Sequence, residues 1–204
     1  MKGVSAIFRP PSPNLPQRKI TWIYTNGKTE KNYFDLQKIA HKDKRNLKIC
    51  PICKEGRGIK NILEKIKREC DGRSLRSGDK IFCVVDVDAL TDMEIQGAFR
   101  IKPKYVELIL SNPDFELWLL LHFQQYNTRI TKDETMVKVR NHLHEYCKPE
   151  IEPFFSRLRE NEQIAITNAR LLRRQHLGGR VDLNSRGANP HTFVDNIIEF
   201  LNTP

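Results

Sequence analysis

The stretch that decides the fold is KIFCVVDVD, residues 80–88. Its centre, Ile81–Val85, is apolar at every position instead of alternating with polar residues. Such a run is typical of a central parallel strand that is covered on both faces. Asp86 and Asp88 follow directly, and their spacing of two places both carboxylates on the same side. We therefore predict that this strand delivers a pair of carboxylates to one edge of a sheet.

The carboxylate pair predicts a divalent-metal site. Two like charges held close together repel each other, and a bound cation relieves that repulsion. Oxygen ligands alone favour Mg²⁺ or Mn²⁺. The alternative is a turn or helix cap with solvated acids, since Asp is common at such positions. An acidic pair placed directly after a buried strand favours the metal site.

Working outward from this strand, β-branched or aromatic runs alternate with helical patterns. This alternation predicts an α/β fold with an open, mostly parallel sheet flanked by helices. The predicted strands are Ile20–Tyr24, Leu47–Cys50, Lys80–Val87 and Tyr105–Leu110. The predicted helices are Thr29–Ala40, Ile59–Cys70, Phe115–Phe123 and Phe193–Leu201, with a charged helical stretch over Asn127–Arg174 that breaks at Lys148-Pro149.

The predicted organisation is a Pro-rich N-terminal arm at residues 1–18, an α/β core at 19–126 and a helical part at 127–204 that completes the same domain. Within Ser111-Asn112-Pro113, proline suits the first turn of the following helix, and Ser111 or Asn112 suits its cap.

The chain is basic, with a formal net charge of +10. This charge favours a nucleic-acid partner, because Lys and Arg release counterions from phosphates; a charged surface without such a partner is the alternative. One basic cluster gathers in the C-terminal third: Arg170, Arg173, Arg174, Arg180 and Arg186. A second comprises Lys42, Lys44, Arg45 and Lys48. A solvated surface is the alternative for each cluster.

Cysteine usage and hydropathy bear on location. The longest apolar run, Leu117–Phe123, is too short to span a membrane. Five cysteines without framework spacing favour a reducing cytoplasm. Cys50 and Cys53 have the spacing of a zinc knuckle, but no second pair follows at suitable spacing. Two ordinary thiols are the favoured interpretation, and zinc is the alternative.

Polar groups follow the ends of three of the predicted strands. Ligands of open parallel sheets bind beyond the carboxyl ends of the strands. Asn26-Gly27 through Glu30 follows the first strand, Asp86 and Asp88 the third, and Asp114 with Glu116 the fourth.

Three blocks of sequence carry a resemblance to a known family. YTNGKTEKNYF (residues 24–34), FCVVDVDA (82–89) and SNPDFELWLLLHF (111–123) resemble the RloB-like proteins, a branch of the Toprim superfamily, and NPHT (189–192) also fits. The resemblance implies a Toprim fold and a Mg²⁺- or Mn²⁺-dependent nuclease acting on DNA or RNA, linked to antiphage defence and restriction loci. We therefore predict a catalytic set of Asn26, Glu30, Asp86, Asp88 and Glu116, in which Asp86, Asp88 and Glu116 hold the metal.

One position departs from the family pattern. Asn26 stands where Toprim enzymes carry the glutamate that serves as general acid or base, and an amide cannot exchange a proton near neutral pH. Either Glu30 or Glu116 takes over that role, or the domain is catalytically weakened and binds nucleic acid or a defence partner encoded nearby. A small-nucleotide hydrolase is a third possibility. The oligomeric state is left open.

Overall fold

A computed structural model of the chain describes residues 19–43, 46–51, 58–71 and 78–203. The predicted Pro-rich arm lies outside these residues, as do Cys53, Lys44 and Arg45. Within them the chain forms a mixed α/β fold with a five-stranded sheet in the order β2-β1-β3-β4-β5. The strands are β1 Ile20–Thr25, β2 Asn46–Pro51, β3 Lys80–Asp86, β4 Val106–Asn112 and β5 His191–Thr192. The first four are parallel, and β5 pairs antiparallel with β4.

Helices cover both faces of the sheet, and a helical part follows β4. The helices are α1 Lys28–Ala40, α2 Ile59–Asp71, α3 Asp92–Ile101, α4 Glu116–Leu121, α5 Lys132–His142, α6 Phe155–Glu160, α7 Glu162–Gly178 and α8 Val194–Asn202, with one 3₁₀ turn at Glu152–Phe154. The predicted fold class is therefore confirmed. No helix within the described ranges combines the length and apolar character that crossing a membrane requires.

The apolar run of β3 is explained by its two covered faces. Phe82 and Val84 point into a core with α1 and the C-terminal helices. Cys83 and Val85 point into a second core with α2 and α3. Because successive side chains of a strand alternate between faces, both sets must be apolar when both faces are buried.

The region after β4 differs from the sequence prediction. Ser111 and Asn112 were expected to cap the next helix, but β4 extends through both, and Ser111 pairs with Thr192 of β5. The Ser111 and Thr192 hydroxyls share a hydrogen bond of 2.8 Å. Helix α4 begins only at Glu116 and has no side-chain cap. The predicted capping role is therefore wrong, because strand pairing with β5 uses these residues instead.

Helix α3 was not predicted, although its start signal is present in the sequence. The Thr91 side chain accepts from the Glu94 backbone, and the Glu94 side chain accepts from the Thr91 backbone, which forms a capping box. Ile95 and Ala98 of this helix are buried against the second face of the sheet.

Candidate functional site

The strand order fixes where a ligand site can form. From β1 the chain moves outward to β2 and then returns past β1 to β3, so the direction of winding reverses between β1 and β3. A crevice forms at the carboxyl ends of the strands at such a reversal point. An open cleft of about 470 Å³ lies there, and Asn26, Glu30, Asp86 and Asp88 line it. Four of the five predicted catalytic residues therefore share one cleft, which we call the acidic cleft.

Glu30 reaches this cleft from the first turn of α1. Burial raises the pKa of Glu30, the charge of Glu116 raises it further, and hydrogen bonds from the backbone of Glu30 and Gly27 oppose the shift. The carboxylate packs so closely on Gly27 that a Cβ built there would lie 2.2 Å from Glu30 Oε2. Glycine at position 27 therefore leaves room for the carboxylate at the helix start.

Asp86, the last residue of β3, is the most perturbed acid of the cleft. Burial raises its pKa well above the usual range, and the charges of Glu30, Asp114, Glu116 and Asp88 raise it further. Its Oδ1 atom is buried and has no hydrogen-bond partner among the described residues. Burying a carboxylate oxygen without a partner costs free energy, so binding of a proton or a cation to this atom would stabilise the site.

Glu116 is the first residue of α4 and lies buried beside the acidic cleft, together with Asp114. Lys148 reaches both acids from the segment after α5, with Nζ 2.5 Å from Glu116 Oε2 and 3.2 Å from Asp114 Oδ2. The Tyr146 hydroxyl donates to Glu116 Oε1 at 3.2 Å. Glu116 is thus held by an ammonium and a phenol.

Asp114 and Lys148 are each perturbed by this arrangement. Burial raises the pKa of Asp114 to about 8, with the Glu116 charge as the next cause, and the Lys148 ammonium opposes the shift. Burial lowers the pKa of Lys148, but its hydrogen bond to Glu116 and the neighbouring charges outweigh burial, and the pKa is raised. The Asp114 Oδ1 atom is a second buried carboxylate oxygen without a partner among the described residues.

Asp88 lies at the outer edge of the acidic cleft. Its backbone N–H donates to the Pro113 carbonyl at 3.0 Å, which ties the chain after β3 to the chain after β4. Its carboxylate pairs with Lys132, the first residue of α5, at 3.0 Å. A quarter of the Asp88 side chain is exposed, so solvent reaches this carboxylate.

The side chains around the end of β3 are of the type that binds a hard divalent cation. Five carboxylates surround the end of β3, namely Glu30, Asp86, Asp88, Asp114 and Glu116, and the unpartnered oxygens of Asp86 and Asp114 are the kind of ligand that Mg²⁺ prefers. Across the described ranges, however, no three or more His, Cys, Asp or Glu side chains are already arranged to hold a metal ion. Lys148 and Lys132 instead supply the positive charge.

A family model described as RloB-like protein matches residues 21–201, which include all five strands apart from the first residue of β1. The chain belongs to the RloB-like family. The match also covers every residue of the acidic cleft and both lysines that pair with it. No curated protein and no solved structure matches the chain.

Two of the five predicted nucleic-acid-binding arginines of this RloB-like protein are engaged in ion pairs. Arg173 makes a two-pronged contact with Asp195, at 2.6 and 2.5 Å, and its guanidinium stacks on Phe193. Arg170 pairs with Glu199 on the surface. The buried Arg173–Asp195 pair joins α7 to α8, which gives Arg173 a structural role.

The other three arginines are exposed and do not share one surface feature. Arg174 lies on α7, and Arg180 follows the end of that helix with a positive φ of 58°. Arg186 lines a second cleft, of about 200 Å³, which also includes Asp88 and Lys132. Only Arg186 is therefore brought next to the predicted carboxylates.

Sequence reasoning missed three side chains that shape the site of this RloB-like protein. Asp114 was noted after the fourth strand but was not placed among the site residues, although the Ser-Asn-Pro-Asp motif contains it. The sequence pattern shows Lys148 only as part of a helix break and Lys132 only as part of a charged helix. Nothing local predicts these lysine contacts, because each joins residues at least 32 positions apart.

His122 and the cysteines complete the sequence-predicted candidates. His122 Nδ1 lies 2.8 Å from the Trp118 carbonyl, and burial lowers its pKa to about 4, which is typical of a structural histidine. Cys50 lies in β2, and Cys53, with which it shares the spacing of a zinc knuckle, falls outside the described residues.

Proposed function

We propose that this RloB-like protein is a nuclease that hydrolyses phosphodiester bonds of DNA or RNA with Mg²⁺ or Mn²⁺ as cofactor. The observation that carries the proposal is the buried, unpartnered Oδ1 of Asp86, at the end of β3 and at the winding reversal of the sheet. The family resemblance adds a Toprim fold and a role in antiphage defence. The cysteine usage suggests a cytoplasmic location, and the resemblance suggests a partner protein encoded nearby.

Asp86, Asp88 and Glu116 would hold the metal. A bound divalent cation supplies Lewis-acid activation of water and neutralises charge on the phosphate. Because Asp86 is crowded by like charges, a cation would let its carboxylate ionise at neutral pH. Since Lys148 already neutralises part of the Asp114–Glu116 pair, Glu116 would have to exchange this ammonium for the metal or share it.

The proton-transfer role falls to Glu30. Asn26 lines the same cleft but has no titratable group. Burial raises the pKa of Glu30 towards neutrality, which is the direction that suits a general acid or base working near pH 7. Its hydrogen bonds at the start of α1 hold the carboxylate in a fixed position, and fixed position is what proton transfer requires.

A second candidate function is a catalytically weakened module that binds nucleic acid or a defence partner. Two observations favour it: Asn26 occupies the position of the usual acid, and Lys148 sits against Glu116, one of the proposed metal ligands. In this case the lysines would replace the metal permanently, and the fold would keep only its binding surface.

A cleavage panel tests the proposal. Wild type and Asp86→Ala are incubated with tRNA, single-stranded RNA, duplex DNA and a nucleoside triphosphate, with Mg²⁺ or Mn²⁺ and with EDTA. Asp35→Ala is the matched control, since Asp35 is a partly exposed acid in a surface ion pair of α1. We expect metal-dependent cleavage of a nucleic acid that is lost in Asp86→Ala and kept in Asp35→Ala. Absence of cleavage by wild type would reject the nuclease.

An Asn26→Glu variant separates the two candidate functions. Cleavage that appears only in this variant indicates a degenerate site, because restoring the acid restores the chemistry. Unchanged cleavage shows that Glu30 or Glu116 already fills the role. Hydrolysis of the triphosphate alone would point to a small-nucleotide hydrolase.

A further inference from the structure

A second cleft, which we call the basic cleft, opens directly beside the acidic cleft. It has a volume of about 200 Å³, and three of its lining residues are cationic: Arg129, Lys132 and Arg186. Asp88 and Lys132 line both clefts, so the two form adjoining parts of one surface depression. Positive charge is thus concentrated on one flank of a strongly negative site.

Two of these cations have no carboxylate partner among the residues that the structure describes. Within the described part of the chain, neither the Arg129 nor the Arg186 guanidinium takes part in an ion pair, whereas Lys132 pairs with Asp88 at 3.0 Å. Other arginines are neutralised by acids, as Arg173 is by Asp195. Like charges gathered in a concave site repel each other, so the cleft favours an anion. Guanidinium groups match phosphate oxygens in geometry as well as in charge.

Two asparagines hold the backbone segments that carry these cations. The Asn189 side chain accepts from the Ile130 N–H at 2.8 Å and donates to the Ile130 carbonyl at 2.9 Å, next to Arg129. The Asn112 side chain donates to the carbonyls of Arg186 and Ala188, at 3.2 and 3.0 Å.

These two anchors are themselves connected. Asn189 donates to Asn112 Oδ1 at 3.0 Å. The Arg186 backbone N–H donates to Asp92 Oδ1 at 2.6 Å, which fixes the same loop against α3. The cationic side chains therefore project from segments tied to the end of β4, and the cleft is built by long-range contacts instead of by a chance run of surface charge.

We infer that the basic cleft binds a backbone phosphate of the nucleic acid, next to the phosphodiester that enters the acidic cleft. The inference rests on the proposed function and specifies how its substrate is held. Without nearby cations, five carboxylates repel a polyanion, and the adjoining arginines offset that repulsion. Phosphate contacts position a nucleic acid without reading its sequence, so the cleft sets the register of the strand.

Binding and its salt dependence test this inference separately from cleavage. The probe is a short fluorescein-labelled oligonucleotide, single-stranded or duplex, measured by anisotropy with Ca²⁺ in place of Mg²⁺. The variants are Arg129→Gln/Arg186→Gln and the control Arg68→Gln/Arg100→Gln. Both control arginines are exposed on α2 and α3, and among the described residues each has only a long hydrogen bond to its own helix backbone. The two double variants remove the same charge.

We expect the cleft variant to bind at least about tenfold more weakly than wild type, because two charge-assisted contacts are lost. The slope of log K against log salt should fall by about 0.7 for each lost phosphate contact to a single strand and about 0.9 to a duplex. The control should keep the wild-type slope. Equal slopes for the two double variants, or no binding by wild type, would overturn the inference.

Cleavage by the same proteins separates this inference from the nuclease proposal. If wild type binds the oligonucleotide, the cleft variant shows the expected change in slope and wild type does not cleave, the inference about the basic cleft is supported and the nuclease proposal is refuted. If wild type cleaves nucleic acid and the cleft variant binds and cleaves like the control, the nuclease proposal is supported and the inference about the basic cleft is refuted. Thermal unfolding verifies that both double variants are folded.

Discussion

Replacing Lys148 by methionine removes the only cation that contacts Asp114 and Glu116 within the described residues and keeps most of the aliphatic length. Both acids are 1% exposed. Removing one partner of a buried ion pair costs about 3–5 kcal/mol. Since a third of the Lys148 side chain is exposed, we expect the lower end of that range, about 3 kcal/mol. For a chain of this size the melting temperature should fall by about 6–12 °C.

The cost should depend on pH, and the pKa of Asp114 fixes the sign. Burial raises this pKa to about 8, above its value in the unfolded chain. An acid of this kind contributes stability at low pH and loses that contribution as the pH rises through its folded pKa. Near pH 6 Asp114 takes a proton and the cluster carries less negative charge. The cost of Lys148→Met should therefore be smallest near pH 6 and largest near pH 9.

Urea and thermal unfolding in EDTA measure this cost. The matched control is Lys31→Met, because Lys31 pairs with Asp35 on the exposed face of α1 with side chains 38% and 40% exposed. An exposed pair contributes about 0–1 kcal/mol, with little dependence on pH in this range. If Lys148→Met and Lys31→Met lose the same free energy of unfolding at both pH values, Lys148 does not compensate the buried acids, and our account of the cluster is wrong.

Three further predictions address neighbouring features. Gly27→Ala should lower cleavage about tenfold to a hundredfold, because the added Cβ displaces the Glu30 carboxylate. The free energy of unfolding should change by less than about 1 kcal/mol, because the Gly27 φ of −117° suits alanine. Unchanged cleavage would contradict this prediction. Arg173→Met should destabilise the fold by about 3 kcal/mol through the buried Asp195, yet leave the salt slope of oligonucleotide binding unchanged; a changed slope would assign Arg173 to the interface. In EDTA, the wild-type protein should lose stability as the pH rises through the pKa of Asp114. Mg²⁺ should reduce that loss in thermal unfolding experiments. Identical melting temperatures with and without Mg²⁺ at high pH would argue against a metal site.

The fold was predictable where local pattern and tertiary context agree. Both faces of β3 are covered, so every side chain from Ile81 to Val85 must be apolar, and this requirement is visible in the sequence as an uninterrupted apolar run. The short strand β5 was not predictable, since its two residues, His191 and Thr192, are too few to show alternation. Because β5 pairs with Ser111 and Asn112, the extension of β4 was hidden as well.

Only the site residues that directly follow predicted strands could be predicted from the sequence. Asp86 and Asp88 follow an apolar strand, and parallel strands bring their carboxyl ends to one edge, so sequence reasoning could group them with Asn26 and Glu30. The compensating cations could not be found in this way. Lys148 lies 32 residues beyond Glu116, and its contact depends on how the chain after α5 folds back.

Mn²⁺ binding tests the central claim most directly, because the acidic cleft is proposed to hold a divalent metal before any substrate is present. Electron paramagnetic resonance of Mn²⁺ titrated with wild type, Asp86→Asn and the control Asp35→Asn measures this occupancy. We predict stoichiometric binding to wild type and to Asp35→Asn, and loss of that binding in Asp86→Asn. Equal Mn²⁺ binding by all three proteins, or none by wild type, would contradict the claim that the end of β3 is a metal site.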